Sequence, residues 1–169
     1  MPLWLGVLLV IAAFIVWFLA PRKGGARNLD SPGALSEAVR WLYNLGTEGG
    51  EIRVEIRGDA SRYVTLTKHI RRLGDVELTG VLPVKNLSPD RYSAVREELV
   101  GRNIPCSDPL RNGDAQLQVQ SGSDLKNAES FVRIAMESGF GVAVSSDCVY
   151  YVKKLLLSNR PALTGVPDP

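Results

Sequence analysis

Residues 3–20, LWLGVLLVIAAFIVWFLA, form a run of eighteen residues without a charged side chain. A helix of that length can cross the hydrocarbon core of a bilayer. Twelve of these residues are Leu, Ile, Val or Phe, which together contribute roughly −4 to −7 kcal/mol to insertion. Trp4 and Trp17 lie near the two ends, where indole rings favour the membrane interface. The segment predicts a transmembrane anchor over residues 1–20, so any compact domain must be built from the residues that follow.

A cleaved signal peptide is the alternative interpretation of this segment. Signal peptides carry a basic region, a shorter apolar stretch and a small-x-small cleavage site. Here no Lys or Arg precedes residue 3, and at the one obvious cleavage position the small Ala20 is preceded by the large Phe18, two residues earlier. We therefore favour a retained anchor.

The charges that flank the apolar segment are asymmetric. Arg22, Lys23 and Arg27 follow it, and no Lys or Arg precedes it. Flanks rich in Lys and Arg stay on the cytoplasmic side. We expect the N-terminus outside and the domain in the cytoplasm. An extracytoplasmic envelope domain, with the topology reversed, is the alternative.

The rest of the chain is nearly neutral. Without the three flanking bases, 17 Lys and Arg side chains stand against 18 Asp and Glu. Domains that bind nucleic acid normally carry a clear basic excess, so we expect no nucleic-acid partner. Cys106 and Cys148 are the two cysteines, and in the cytoplasm they are expected to be free thiols. In the reversed topology they would be able to form one disulfide.

Hydrophobic spacing divides the remaining chain. Residues 21–30 predict a linker, 31–157 a globular domain and 158–169 a flexible tail. Three segments have apolar residues at helical spacing, the first with Ser31 and the third with Ser123 as N-cap. These predicted helices cover residues 31–46, 88–101 and 123–139.

Four further segments alternate apolar and polar residues with period two, which predicts strands. They cover residues 51–57, 62–70, 76–83 and 115–120. Residues 101–114 predict a loop. The spacing after Gly139 suits either a helix or strands, and we assign a hairpin of strands 141–145 and 148–153. The element order predicts an α+β fold: after the transmembrane helix, an antiparallel sheet, made of a three-stranded meander and a further strand, with helices packed on one face.

Two groups of side chains are candidates for binding. Lys68, His69, Arg71 and Arg72 form a basic segment that could contact an anion, a lipid headgroup or an acidic peptide. A solvated strand end paired with nearby carboxylates is the favoured reading of that segment. The second group, Gln116, Gln118 and Gln120, lies on the outward face of a predicted strand and could meet a partner strand or peptide, although such a row is more often the wet side of a sheet.

The sequence contains no P-loop, G-x-S-x-G or H-E-x-x-H motif, and "GFGVAV" follows a predicted helix instead of opening one. We therefore assign no catalytic residue, no cofactor site and no metal ligand. His69 is the only histidine, so it cannot form a His–His metal pair, and a dyad with Cys106 or Cys148 is the nucleophilic arrangement open to it.

Three stretches carry a resemblance to a known family: "RYVTLTKHI", "VELTGVLPV" and "AQLQVQSGSDLKNAESFVRIAMESGFG". In their order and hydrophobic placement, residues 31–140 resemble the type III secretion chaperone-like fold, including the YbjN-like domains. The resemblance implies a protein-binding module and not an enzyme. It carries no catalytic residue onto this chain.

These observations lead to one expectation about function. We expect a single-pass membrane protein whose cytoplasmic domain binds a protein partner without catalysing a reaction. The anchor would hold this domain near that partner. No cofactor is expected, and homo-oligomerisation is left open. The alternative is a small-ligand-binding or enzymatic domain that uses His69 and Cys106 or the basic segment 68–72.

Overall fold

The computed structural model describes residues 26–31, 33–111, 114–145 and 147–155. The predicted anchor, with Trp4, Trp17, Arg22 and Lys23, lies outside these ranges, as does the predicted tail 158–169. No helix in the described ranges has the length and apolar character that a bilayer crossing requires.

Three helices and eight strands are formed by the described residues. The helices are α1 (Ala34–Leu45), α2 (Pro89–Gly101) and α3 (Leu125–Ile134), which continues as a π-helical turn over Ala135–Gly139. A short 3₁₀ turn covers Val84–Asn86. The strands are β1 (Arg27–Asn28), β2 (Gly46–Ile56), β3 (Asp59–Ile70), β4 (Val76–Pro83), β5 (Cys106–Ser107), β6 (Leu110–Arg111), β7 (Asp114–Gly122) and β8 (Cys148–Leu155).

Seven of the strands lie side by side in the order β1-β8-β2-β3-β4-β7-β5, and β6 also pairs with β7. Every pair is antiparallel. Strands β2, β3 and β4 are consecutive neighbours, so the predicted meander is confirmed. The predicted α+β class, with an antiparallel sheet and helices, is confirmed as well.

The core lies between one face of the sheet and the helices. Alternate residues of each central strand point into it, as the period-two pattern predicts. The fully buried sheet residues include Ile52, Val54, Val64, Leu66, Leu78, Leu82, Leu117 and Val119. The helices cover them with Leu42, Val95, Leu99, Phe131 and Met136. The opposite face of the sheet carries the polar set of side chains.

Two predicted helix starts need correction. Helix α1 begins at Ala34 and not at residue 31, because the Ser31 carbonyl accepts a turn hydrogen bond from the Ala34 N–H at 3.0 Å and Gly33 takes the N-cap position. Helix α3 is capped by Asp124 and not by Ser123. The Asp124 carboxylate accepts from two free N–H groups of the first turn, those of Lys126 and Asn127.

The predicted hairpin after Gly139 is wrong in its first half. Residues 141–145 form no strand, and β8 pairs with β2 on one side and β1 on the other. Without β8, strand β2 would leave a row of N–H and C=O groups unpaired along the sheet, which is costly for a strand with a buried face. Ile56 and Cys148 are paired at the start of this long contact.

The sheet also begins and extends where the sequence predicts irregular chain. Within the segment predicted as a linker, Arg27 and Asn28 form β1, and Leu29 is buried. Within the predicted loop 101–114, Cys106–Ser107 and Leu110–Arg111 form short strands against β7. Both additions protect the edges of a sheet whose central strands are fully paired.

Candidate functional site

The basic segment 68–72 is divided between the two faces of the sheet. Lys68 follows Val64 and Leu66 on the core side of β3, and only 4% of it is exposed. His69 lies on the opposite side, and Arg71 and Arg72 lie beyond the end of the strand. The four cations predicted as one group therefore do not form a single site.

Lys68 is buried through its contacts with helix α1. Its Nζ donates a hydrogen bond to the carbonyl oxygen of Tyr43 in the last turn of the helix. The same ammonium lies 6.0 Å from the centroid of the Tyr43 ring. Burial lowers the pKa of Lys68 below its ordinary value. The side chain thus joins the helix end to the sheet and does not face a ligand.

His69 and the two cysteines are not brought together. His69 is on the open face, where its Nδ1 lies 3.5 Å from the Glu48 carboxylate. Cys148 is buried at the other end of the sheet beside Ile56, and burial raises the pKa of its thiol. Cys106 packs against the core from the far edge strand. Among the described residues, no three His, Cys, Asp or Glu side chains are grouped to hold a metal ion.

The face of the sheet that points away from the helices is the most extensive polar surface formed by the central strands. Strand pairing aligns its side chains in rows across β8, β2, β3, β4 and β7. One row is Lys153, Glu51, Thr67, Thr79 and Gln120. The next is Tyr151, Arg53, Thr65, Val81 and Gln118.

The middle of this face is free of charge. We call it the central patch, and its members are Thr65, Thr67, Thr79, Val81, Gln118 and Gln120. Adjacent strands lie about 4.8 Å apart, so these side chains form a continuous surface three strands wide. Gln120 is exposed and Thr79 is packed among its neighbours, while the other members are half-buried. Two of the three glutamines predicted as a binding row belong to this patch.

Gln116 is the third glutamine of the predicted row. It lies on β7, two residues before Gln118, and is paired with Pro83 of β4. Its backbone N–H donates to the Pro109 carbonyl at 3.3 Å. Because β5 and β6 both pair with β7, the backbone edge next to the glutamine row is occupied over much of its length. The glutamines can therefore offer side-chain amides to a partner, whereas strand addition along this part of β7 is blocked.

Paired charged side chains border the central patch on its β8 side and at the end near His69. Lys153 lies 3.0 Å from Glu51 on the β8 side. At the end near His69, the Arg71 Nε donates to the Glu77 carboxylate at 2.8 Å. These pairs neutralise the border of the patch and leave its centre to hydroxyl, amide and methyl groups.

A tight cluster closes the third side of the patch. Arg53 Nε lies 3.0 Å from the Glu55 carboxylate, and its guanidinium is stacked 3.8 Å from the centroid of the Tyr63 ring. The Tyr151 hydroxyl donates to Glu55, which, together with burial, raises the pKa of Tyr151. Although it is on the outer face, Glu55 is only 7% exposed. The cluster links side chains of β8, β2 and β3 across this face.

The sequence did not indicate this cluster. Tyr151 was expected in a terminal hairpin with residues 141–145, so its place beside Arg53 could not be foreseen. The only available signal was the strong alternation in "EIRVEIR", which put Arg53 and Glu55 on one face.

Comparison of the chain with protein-family models, curated proteins and solved structures found no match.

Proposed function

We propose that this chain is a single-pass membrane protein whose cytoplasmic domain is a non-enzymatic, chaperone-like interaction module. Its central patch is the surface that contacts a protein partner. The anchor over residues 3–20 keeps this surface at the membrane and raises its concentration near membrane-bound partners.

The observation that carries the proposal is the uncharged centre of the open face. Protein-binding surfaces are depleted of charge at the centre and polar at the border. The central patch has this arrangement, with Thr67 and Gln118 inside it and the Lys153–Glu51 pair at its border. Helices cover the opposite face of the sheet, so the open face is the side that a partner can reach.

Site-specific photo-crosslinking tests this assignment. A photoreactive residue at position 67 or 118 of the full-length chain, in membranes, is expected to capture one defined protein. The same residue at Glu97, an exposed position on α2, is the control and should not capture it. Thr67→Arg and Gln118→Glu should each reduce capture from the other position. Capture only of lipid or of a second copy, or equal capture from Glu97, would overturn the proposal.

The topology has a separate test. In a Cys106→Ser background, Cys148 is buried and unreactive, so Ala60→Cys supplies one exposed thiol. A membrane-impermeant maleimide should label this thiol only after the cells are permeabilised. Labelling of intact cells would place the domain outside. Recovery of the domain without residues 3–20 would show that the anchor is cleaved.

A further inference from the structure

We propose that the β3–β4 turn, Ile70–Asp75, is a membrane-contacting surface. Leu73 inserts into the headgroup region of the bilayer that holds the anchor, and Arg71 and Arg72 lie against its anionic lipids. This inference rests on the proposed anchor. It adds a second contact with the bilayer, one that fixes the orientation of the domain.

The exposure of the turn is the first observation. Leu73 is 92% exposed and Ile70 is 44% exposed, although both are large apolar residues. Together with Arg71, Arg72 and Asp75 they line a shallow, open depression. Exposed apolar side chains beside cations are typical of segments that lie in a membrane interface.

The charge of the turn is the second observation. Residues 70–75 contain two arginines and one carboxylate, Asp75. Arg71 is paired with Glu77, and Arg72 makes no ion pair within the described part of the chain. The exposed Lys154, near the end of β8, and the exposed Glu48, whose carboxylate accepts from the Ile70 N–H, belong to the same end of the sheet and balance each other. A cation near an anionic leaflet is attracted to it, and the attraction falls off within a Debye length.

The direction of the chain is the third observation. Asn28 pairs with Val149 and Arg27 with Tyr150, so the backbone that precedes Arg27 leads toward the Leu155 end of β8. That end is also the Ile70 end of β3, because β8 and β3 are both antiparallel to β2. The proposed anchor would therefore be connected to the domain at the end of the sheet that carries the exposed turn.

The segment between the proposed anchor and β1 is short enough to hold the β3–β4 turn close to the bilayer. Arg27 is level with Val64 across the sheet, and Ile70 lies six residues farther along β3, about 20 Å away. The seven residue steps from Arg27 back to Ala20 span at most about 25 Å when fully extended. The turn extends beyond Ile70, so a connection of this length leaves little room between the turn and the headgroups.

The opposite end of the sheet provides the contrast. There the β2–β3 turn contains Arg57, Gly58 and Asp59, and Ala60 is its exposed apolar residue. Arg57 contacts Asn28 and Asp30. Among residues 57–60, all described, no large apolar side chain is available to a bilayer, so this turn supplies a matched control within the same pair of strands.

Depth-dependent quenching tests the inference. In the Cys106→Ser background, Leu73→Cys and Ala60→Cys are each labelled with bimane in the full-length chain and reconstituted into vesicles. The vesicles contain phosphatidylcholine with a minor fraction of phosphatidylserine, plus lipid that bears a nitroxide near the headgroup. We expect bimane at position 73 to be quenched several-fold more than bimane at position 60. Arg72→Glu, or vesicles without phosphatidylserine, should reduce the quenching at position 73.

The possible failures are distinguishable. A chain that does not float with the vesicles would overturn the anchor and this inference together. A chain that floats, with position 73 quenched no more than position 60, would overturn the inference and leave the anchor intact.

Discussion

Gly80 lies directly against the ring of Phe131. A Cβ atom at position 80 would stand 2.3 Å from Phe131 Cε1 and 2.4 Å from Cδ1. Gly80 is in the middle of β4, between Leu66 on β3 and Val119 on β7, and Phe131 is fully buried on α3. The missing side chain is what lets α3 approach the centre of the sheet.

Gly80→Ala should therefore destabilise the domain. A rigid aromatic ring in a packed core cannot move aside freely, and overpacking of this kind costs about 1–3 kcal/mol. Urea unfolding of the detergent-solubilised full chain, followed by circular dichroism, measures the effect. Gly101→Ala is the control, because a Cβ there meets no atom within 4 Å; its effect should be neutral or slightly stabilising. Phe131→Leu should recover part of the loss in the double variant, and equal effects of the two glycine variants would contradict the packing described.

Glu55 and Glu51 allow a matched comparison on one strand face. Glu55 is 7% exposed and contacts Arg53 and the Tyr151 hydroxyl, whereas Glu51 makes one exposed pair with Lys153. Glu55→Ala should cost about 1–3 kcal/mol, because it leaves buried donors without an acceptor. Glu51→Ala should cost less than about 1 kcal/mol. A larger loss for Glu51→Ala in the same unfolding measurement would show that the cluster does not hold the strands together.

Lys68 should make stability rise with pH in the alkaline range. Burial lowers the pKa of this amine from its ordinary 10.5 in the folded state. Between the lowered value and the ordinary one, the unfolded chain binds a proton that the native chain does not, so the free energy of unfolding increases with pH. Comparison of wild type and Lys68→Met as the pH is raised toward 10.5 should show this increment in the wild type alone. The exposed control Lys126→Met should keep it, and parallel curves for wild type and Lys68→Met would refute the prediction.

Asp59 should likewise make stability rise with pH, but in the acid range. Hydrogen bonds from Ser61 and Arg62 lower the pKa of its carboxyl from 3.8 to about 2. Its contribution to stability is complete above pH 3.8 and is lost as the pH falls toward 2. Asp59→Asn should therefore lose less stability than wild type over that interval. Asp75→Asn, in the other hairpin turn, serves as the control, and an identical acid response of Asp59→Asn and wild type would count against the turn geometry.

The sequence was most informative where local patterns were strong. Alternation placed Ile52, Val54, Val64 and Leu66 on the core face. The second helix, predicted over residues 88–101, is formed at Pro89–Gly101, and the side chain of Ser88 caps it by accepting from the Arg91 N–H. Long-range pairing could not be predicted in the same way. The position of β8 depends on which sheet edge lacks a partner, and no local pattern in residues 148–155 encodes that edge.

The same distinction between local pattern and long-range packing applies to the candidate binding residues. Gln118 and Gln120 were correctly placed on the outer face of their strand, because apolar and polar residues alternate along it. Lys68 was predicted to lie in a solvated strand end, since a basic residue is normally exposed, but it is buried. Its position becomes clear only when the end of α1 is seen above it, with the Tyr43 carbonyl in reach of the amine.

The interior position of β8 has a consequence for biosynthesis. Arg27 and Tyr150 are strand neighbours, so the first and the last described strands meet in the finished sheet. Because β8 follows β2 by about ninety residues, a ribosome must deliver the chain as far as β8 before β2 acquires its second partner. If the proposed anchor is present, it is translated before this pairing forms, so the sheet would be completed after the chain has met the lipid.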